Sequence, residues 1–184
     1  MSVKSDKWII ETAQRHELIK PFSPESVRNG ISFGVSAYGY DISLSDEFKI
    51  FRPDRVTEID PKNKSEAFFD DVTAASVLVP PNSYILARTR EYFKIPRDIL
   101  VICFGKSTYA RCGLLVNITP FEPEWEGYAT VSLSNTTPRP IRVYANEGIA
   151  QIIFMEASEV CDISYKDKKG KYQGQTKITL SKSE

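Results

Sequence analysis

The sequence predicts a mainly β fold of the sandwich, jelly-roll or barrel kind. From residue 31 onward, short apolar or alternating runs are separated by Pro, Gly, Asn and Asp, which is the pattern of many short strands joined by turns. A chain of 184 residues corresponds to one domain, because a domain has roughly 150 residues. The N-terminus departs from the pattern, since its apolar residues recur at helical spacing.

Residues 1–30 are predicted to form a helical segment. Ser5 can cap a helix whose apolar stripe includes Trp8, Ile9 and Ala13. Pro21 is expected to end this helix, because the residue before a proline disfavours helical backbone angles. A second short helix is expected from residue 23 or 24 to residue 28.

The strands follow the helical segment in close succession. They are predicted at 48–51, 75–79, 83–88, 99–104, 114–118, 128–133, 141–144, 149–156 and 160–165. Turns are expected at 80–82 and 137–140, where prolines cluster. The lysine-rich end, 166–184, has no such pattern, and on its own composition it is typical of a disordered terminus.

Composition argues against several functional classes. The 24 Lys and Arg residues balance the 24 Asp and Glu residues, so the chain lacks the basic excess of a general nucleic-acid binder. It has no apolar run long enough for a membrane span and no pattern of a signal peptide. One His and three Cys without paired spacing argue against a structural zinc site and fit a reducing cytoplasm.

The segment 105–111, GKSTYAR, is the most informative local pattern for binding. A glycine lets backbone amides approach an anion, Lys106 adds a charge, and Ser107 and Thr108 add hydroxyl donors. Arg111 lies four residues after Ser107, on the same face if the segment is helical. The segment therefore predicts either a phosphate site or simply the capped start of a helix.

The segment 122–127, EPEWEG, places acidic residues just before an alternating strand. Two neighbouring carboxylates can divide the roles of acid and base between them. The same residues are also compatible with a solvated turn, and the residues alone do not separate these two interpretations.

Six segments in order resemble one known family. They are YGYD at 38–41, GKSTYAR at 105–111, EPEWEG at 122–127, SN at 134–135, EGIAQ at 147–151 and GKYQGQ at 170–175. This succession is similar to that of the bacterial dCTP deaminases, in the trimeric dUTPase superfamily. The resemblance extends over nearly the whole chain and implies one domain, 1–184, with a distorted β-barrel or jelly-roll subunit, in a homotrimer with active sites between subunits.

The resemblance also implies an activity and its residues. The expected reaction is deamination of dCTP to dUTP and ammonia without zinc, with Mg²⁺ carried by the triphosphate and dTTP as a possible feedback inhibitor. By position, Ser107 and Arg111 match catalytic residues of the family. The positions that match its substrate-binding residues are Lys106, Ser107, Thr108, Arg111, Thr119, Pro120, Glu122, Gln151, Tyr165, Lys171, Tyr172 and Gln175. The end of the chain, 166–184, is then expected to be a lid over the phosphates rather than a disordered terminus.

One position departs from the family pattern in a way that affects catalysis. Ser132 stands where the family has its catalytic glutamate. Trp125 and Asn135, on either side of it, match the residues and the spacing of the family pattern, so the alignment at this position needs no gap. A hydroxyl is a weak base, and loss of a general base typically costs 10²–10⁴-fold in rate. A smaller departure is Ser43, where related sequences often carry Arg.

Four explanations of Ser132 remain open at this point. The serine could be an engineered replacement, or it could mark a natural homologue that binds nucleotides with little or no turnover. Alternatively, Glu122 could act as the base, which favours triphosphate cleavage of the dUTPase type. The pocket could also accept a modified pyrimidine nucleotide.

Overall fold

The computed structural model describes residues 2–62 and 65–182, in which β-strands predominate. The described strands are β1 (Ser2–Val3), β2 (Ile19–Lys20), β3 (Gly34–Ser36), β4 (Gly39–Phe51), β5 (Phe69–Thr73), β6 (Ser76–Val79), β7 (Tyr84–Lys94), β8 (Ile99–Gly105), β9 (Leu114–Asn117), β10 (Glu126–Asn135), β11 (Ile141–Tyr144) and β12 (Gly148–Glu156). The helices are α1 (Asp6–His16), α2 (Ser107–Ala110) and two short 3-10 turns, Pro53–Arg55 and Glu66–Phe68. The predicted mainly β fold is confirmed.

One ten-stranded sheet organises the domain. Its main path runs β1-β12-β4-β7-β10-β9, while β2, β3, β5 and β8 pair onto members of this path and β6 pairs separately with β11. The register shifts between residues 44 and 48 on β4, 128 and 130 on β10, and 148 and 150 on β12. Such irregularities bend strands and increase their twist, which lets the sheet curl into a distorted half-barrel.

The core lies inside the curl of the sheet. On β7 and β10 buried and half-exposed residues alternate strictly, as expected when one face of an antiparallel strand meets the core. Ile85, Val131 and Leu133 are fully buried on the inner face, while Leu86, Thr130 and Ser132 point to the outer face. The outer face therefore carries the polar side chains available for binding.

The N-terminal segment differs from the prediction of a largely helical 1–30. Helix α1 ends at His16, because Glu17 adopts the left-handed conformation, with φ of 54°. Leu18 and Ile19 are then buried and β2 pairs with β7, so the chain must extend into the core. The predicted helix at 23–28 is also wrong, since Val27 forms a β-bridge with Phe33. Residue 1 of this predicted segment lies outside the described residues.

The predicted strand at 160–165 is likewise absent, and turns replace it in the structure. The carbonyls of Cys161 and Asp162 accept hydrogen bonds from the Arg97 side chain. These backbone groups are therefore satisfied by a side chain and not by pairing with a neighbouring strand. The segment instead begins a stretch, residues 161–182, that crosses the outer face of β10 and that we call the strap. Positions 183 and 184 of the predicted lid lie outside the described residues.

None of the described helices has the length and apolar character that a membrane-crossing helix needs.

Candidate functional site

A cavity of about 480 Å³ lies between β10 and the strap. Its wall is formed by Ile118, Thr119, Pro120, Phe121, Glu122, Trp125, Ala129, Thr130, Tyr165, Lys171, Tyr172, Gln175 and Thr179. The wall combines apolar rings with hydroxyls, one lysine, one carboxylate and one amide. Such a cavity suits a flat polar ligand that also carries negative charge.

The aromatic part of the wall is fixed by packing and by two hydrogen bonds. Trp125 is almost fully buried, and its ring centroid lies 4.7 Å from that of Phe121. Its indole Nε1 donates to the carbonyl of Tyr172 at 2.9 Å, which ties the loop before β10 to the strap. The Tyr172 amide in turn donates to the Tyr165 hydroxyl at 3.0 Å. The strap aromatics are thus ordered against the cavity by the chain itself.

The strap lies directly on the backbone of β10. The Tyr128 amide donates to the Gln175 carbonyl at 2.9 Å, and Gly127 pairs with Gln175 in a parallel bridge. A Cβ at Gly127 would lie 2.8 Å from the Gln175 nitrogen, and the φ of Gly127 is +144°, a conformation that favours glycine. This close approach explains why a glycine occupies the second position of β10.

The loop 118–120 presents backbone groups that the described residues leave without backbone partners. Neither the Thr119 amide and carbonyl nor the Pro120 carbonyl forms a backbone hydrogen bond within the described structure. These groups border the cavity. A ligand with its own donors and acceptors, such as a nucleobase edge, can pair with them.

Glu122 is the one carboxylate among the described residues of the cavity wall. Its Oε2 is paired with Nζ of Lys168 in the strap, and both side chains are nearly half exposed. An exposed pair of this kind contributes little stability, so the carboxylate can exchange its partner at low cost.

The sequence-predicted site residues separate into groups within one chain. Those that meet in the cavity wall are Thr119, Pro120, Glu122, Tyr165, Lys171, Tyr172 and Gln175. Those that the cavity wall does not include are Lys106, Ser107, Thr108, Arg111, Ser132 and Gln151. The residues outside the wall lie around the end of β8 and on β10 and β12.

Two of the separated residues share one partner. Lys106 forms an ion pair with Asp41, and Gln151 donates to the other carboxylate oxygen of Asp41 at 3.2 Å and to Ser36 Oγ at 3.0 Å. The Lys106 side chain is only 13% exposed. Within a single chain, Lys106 is therefore engaged by Asp41 and holds the turn that leads into α2.

The remaining predicted residues surround that turn and β10. Ser107 begins α2, and Arg111 Nη1 donates to the Ser107 carbonyl at 3.0 Å. Ser132 is half-buried on β10, level with Leu86 on β7 and Asn117 on β9. It lies on the same face of β10 as Thr130, two residues away, so it is placed close to the cavity without forming its wall.

Six residues of the wall were not among the site residues predicted from the sequence: Ile118, Phe121, Trp125, Ala129, Thr130 and Thr179. The period-two alternation of β10 could have identified Thr130, since it shares a face with Ser132. Thr179 carries no local signal, because its position depends on how the strap folds back; its amide donates to Thr130 Oγ1 at 3.0 Å.

The described residues offer little to a metal ion by themselves. Among residues 2–62 and 65–182, no group of three or more His, Cys, Asp or Glu side chains is placed to hold one. A cation such as Mg²⁺ would thus need oxygens from a bound ligand and from water, which is how this ion commonly binds with phosphates.

A solved structure shares this fold. The chain aligns with 2′-deoxycytidine 5′-triphosphate deaminase from Agrobacterium tumefaciens with a TM-score of 0.66 and 15% identity, over 84% of this chain and 48% of that one. The present chain thus spans about half the length of that protein. At this identity the likeness defines the fold class, a curled mainly β domain.

Sequence comparisons define the family more closely. A family model described as dCTP deaminase-like matches residues 3–157. Proteins named dCTP deaminase from Acidithiobacillus ferrooxidans and Laribacter hongkongensis are each 57% identical over 188 residues, covering 100% of both chains. The chain belongs to the dCTP deaminase-like family.

Proposed function

We propose that this chain binds dCTP in the strap cavity and catalyses its hydrolytic deamination to dUTP and ammonia, at a rate limited by Ser132. The observation that carries the proposal is the cavity itself, which joins unpaired backbone groups at 119–120, an aromatic wall and the strap lysine Lys171. Relatives that are 57% identical over the full chain and carry the name dCTP deaminase support the choice of substrate.

The proposed roles follow from the chemistry of each group. Backbone groups at Thr119 and Pro120 pair with the cytosine edge, and Glu122 lies near the sugar. Lys171 and Gln175 bind phosphate oxygens, and Tyr165 and Tyr172 close the wall.

In the proposed reaction, water adds to C4 of the base and ammonia leaves. The attacking water must lose a proton, and the leaving amino group must gain one. Ser132 can orient water but is a poor base, so this step is expected to be slow.

The two groups of site residues suggest that the site is completed between copies of the chain in a homotrimer. The strap cavity of one copy would face Lys106, Ser107, Thr108 and Arg111 of the next, with Gln151 supporting them through Asp41. Phe104 and Leu115, near this group, are 57% and 59% exposed, and we propose that they are covered at the interface between copies.

We further propose that Mg²⁺ enters with the nucleotide. The ion would be held by phosphate oxygens and water, because Glu122 is the one carboxylate that the described residues place in the cavity wall. Zinc has no part in the proposed reaction. dTTP, a pyrimidine deoxynucleotide, is proposed to compete for the same cavity.

We also propose that the reaction takes place in the cytoplasm, since the unpaired Cys residues fit a reducing compartment.

A second candidate function rests on Glu122. As the one carboxylate of the described wall, it could activate water for cleavage of the triphosphate, which would release pyrophosphate. Pyrophosphate formation that disappears in Glu122→Gln would support this reaction instead of deamination. Tight nucleotide binding without either product would indicate a binding or regulatory protein.

Nucleotide binding tests the proposed site directly. We expect Mg²⁺-dCTP to raise the melting temperature and to change the fluorescence of Trp125, which lies in the wall. Lys171→Ala should weaken dCTP binding roughly ten-fold or more, because a charge-assisted contact to phosphate is lost. Lys166→Ala is the matched control, since Lys166 is an exposed strap lysine outside the wall. Equal losses in the two variants, or no binding by the unmodified chain, would contradict the proposed site.

A further inference from the structure

We infer that Arg97 is a positioning residue that holds the strap over the cavity. The proposed function assigns ligand contacts to Lys171, Tyr172 and Gln175, and this inference rests on it. Arg97 lies in the turn between β7 and β8, outside the cavity wall, and has no part in the proposed reaction.

One guanidinium joins three segments of the chain. Arg97 Nη1 pairs with Glu124 Oε2 at 2.7 Å, in the loop before β10. Its Nη2 pairs with Asp167 Oδ2 at 2.8 Å, and it also donates to the carbonyls of Asp162 at 2.9 Å and Cys161 at 3.3 Å. The fork geometry of arginine allows this set of simultaneous contacts, which a lysine amine cannot reproduce.

These contacts fix the point where the strap begins. After β12 ends at Glu156, residues 157–160 are exposed, and the Arg97 contacts start at the next residue. Close by, the Tyr165 amide donates to the Pro123 carbonyl at 3.0 Å. The position of Tyr165 in the wall, and the path of the chain from there to Lys171, follow from this starting point.

The strap carboxylate that pairs with Arg97 stays charged at neutral pH. The Ser164 amide and the Arg97 guanidinium lower the pKa of Asp167, so this carboxylate stays ionised. The next charged contact of the strap, the ion pair of Lys168 with Glu122, joins one side chain to one other and is nearly half exposed. The contacts after it are single hydrogen bonds, from the Trp125 indole to Tyr172, from the Gly174 amide to Glu126 and from the Thr179 amide to Thr130. Arg97 is thus the place where one charged side chain contacts several groups of the strap at once.

Hydrogen exchange of the nucleotide-free protein tests the inference. Amides at 164–175 should exchange roughly ten-fold faster in Arg97→Ala than in the unmodified chain, with Arg97→Lys between the two. Amides of β12 serve as the internal reference for overall folding. Arg15→Ala is the matched control, because Arg15 is exposed on α1 and forms no ion pair with a described residue.

Nucleotide affinity completes the test. Arg97→Ala should weaken binding of Mg²⁺-dCTP roughly ten-fold, because the strap must first be ordered, and Arg97→Lys should recover part of the loss. Unchanged strap exchange in Arg97→Ala overturns the inference whether or not dCTP binds. Faster exchange with unchanged dCTP affinity overturns it as well. If the unmodified chain does not bind dCTP, the proposed function fails, and strap exchange alone decides whether Arg97 holds the strap.

Discussion

Glu91 is a carboxylate buried in the core side of β7, at 2% exposure. Its Oε1 accepts from the Ser43 hydroxyl at 2.6 Å and its Oε2 from the Ser43 amide at 3.1 Å, and no ion pair to a described residue compensates its charge. Burial raises the pKa of Glu91 to about 7, although the Ser43 hydrogen bonds act in the opposite direction. Ser43 is also the position at which the family resemblance leads us to expect Arg, so this departure lies beside a buried acid that has no ion pair to a described residue.

The raised pKa of Glu91 predicts a specific dependence of stability on pH. In the folded chain Glu91 keeps its proton up to about pH 7, whereas in the unfolded chain it releases the proton above its ordinary pKa of about 4.5. The contribution of Glu91 to stability is therefore greatest below pH 4.5 and is lost as the pH rises through about 7. Between pH 5 and pH 8 we expect Glu91 to contribute a loss of about 3 kcal/mol, as an order of magnitude.

Urea unfolding of Glu91→Gln across this pH range measures the effect. The glutamine cannot titrate, so the decline of the unfolding free energy toward pH 8 should largely disappear. Glu159→Gln, which changes an exposed glutamate, should keep the decline. A pH dependence that is the same in both variants would show that Glu91 does not titrate in this range.

Among the elements, the strap depends on Gly127, the second residue of β10. In Gly127→Ala the new Cβ would meet the Gln175 nitrogen at 2.8 Å and its oxygen at 3.1 Å, and the backbone would be strained. We expect the unfolding free energy to fall by about 1–3 kcal/mol and dCTP binding to weaken, because the strap is displaced.

Gly174→Ala provides the comparison for this prediction. Gly174 also has positive φ, +68°, but a Cβ there would meet no atom within 4 Å. The unfolding free energy of this variant should fall by only about 1 kcal/mol, because alanine is strained in the left-handed conformation, and its affinity for dCTP should be unchanged. Equal loss of affinity in the two variants would contradict the role given to the close approach at Gly127.

Strands with a strong pattern could be predicted from the sequence, and weakly patterned ones could not. The strand at 141–144 has the predicted bounds, and those at 76–79, 99–105 and 148–156 differ from prediction by one residue at an end. In β5, FDDVT, two acids interrupt the pattern, and the strand forms because it pairs with β4, where Lys49 meets Asp71. Tertiary pairing of this kind leaves no local signal.

The sequence predicted many of the residues of the candidate site but not how they are arranged. The resemblance named the wall residues from Thr119 to Gln175, and the structure brings seven of them together. It could not indicate that Lys106 is held by Asp41, or that Arg97 attaches the strap, because these contacts join residues 64 or more positions apart. Such contacts depend on the curl of the sheet.

At the scale of the whole molecule, the proposed trimer predicts a measurable mass. Light scattering should give about 62 kDa, three times the chain mass of 20.8 kDa. A mass of one chain at micromolar concentration would contradict the proposal that copies complete each other's sites.

Mixing of variants tests whether the site is shared between copies. In the Ser132→Glu background, Arg111→Ala and Lys171→Ala should each be nearly inactive, but mixed oligomers should regain activity, because some sites combine two intact groups. Lys171→Ala mixed with Glu122→Ala should not recover, since both residues belong to the wall of one cavity. Recovery in both mixtures, or in neither, would contradict the shared site.

The central claim is that the strap cavity is a dCTP deaminase site that lacks its base at position 132. The most direct measurement is the rate of dUTP formation from Mg²⁺-dCTP by the unmodified chain and by Ser132→Glu, with Ser134→Glu as the control on the same face of β10. The account predicts that Ser132→Glu raises the rate by about 10²–10⁴-fold, because a carboxylate replaces a hydroxyl as the general base, and that Ser134→Glu does not. A Ser132→Glu variant that folds and binds dCTP but forms dUTP no faster than the unmodified chain would contradict it.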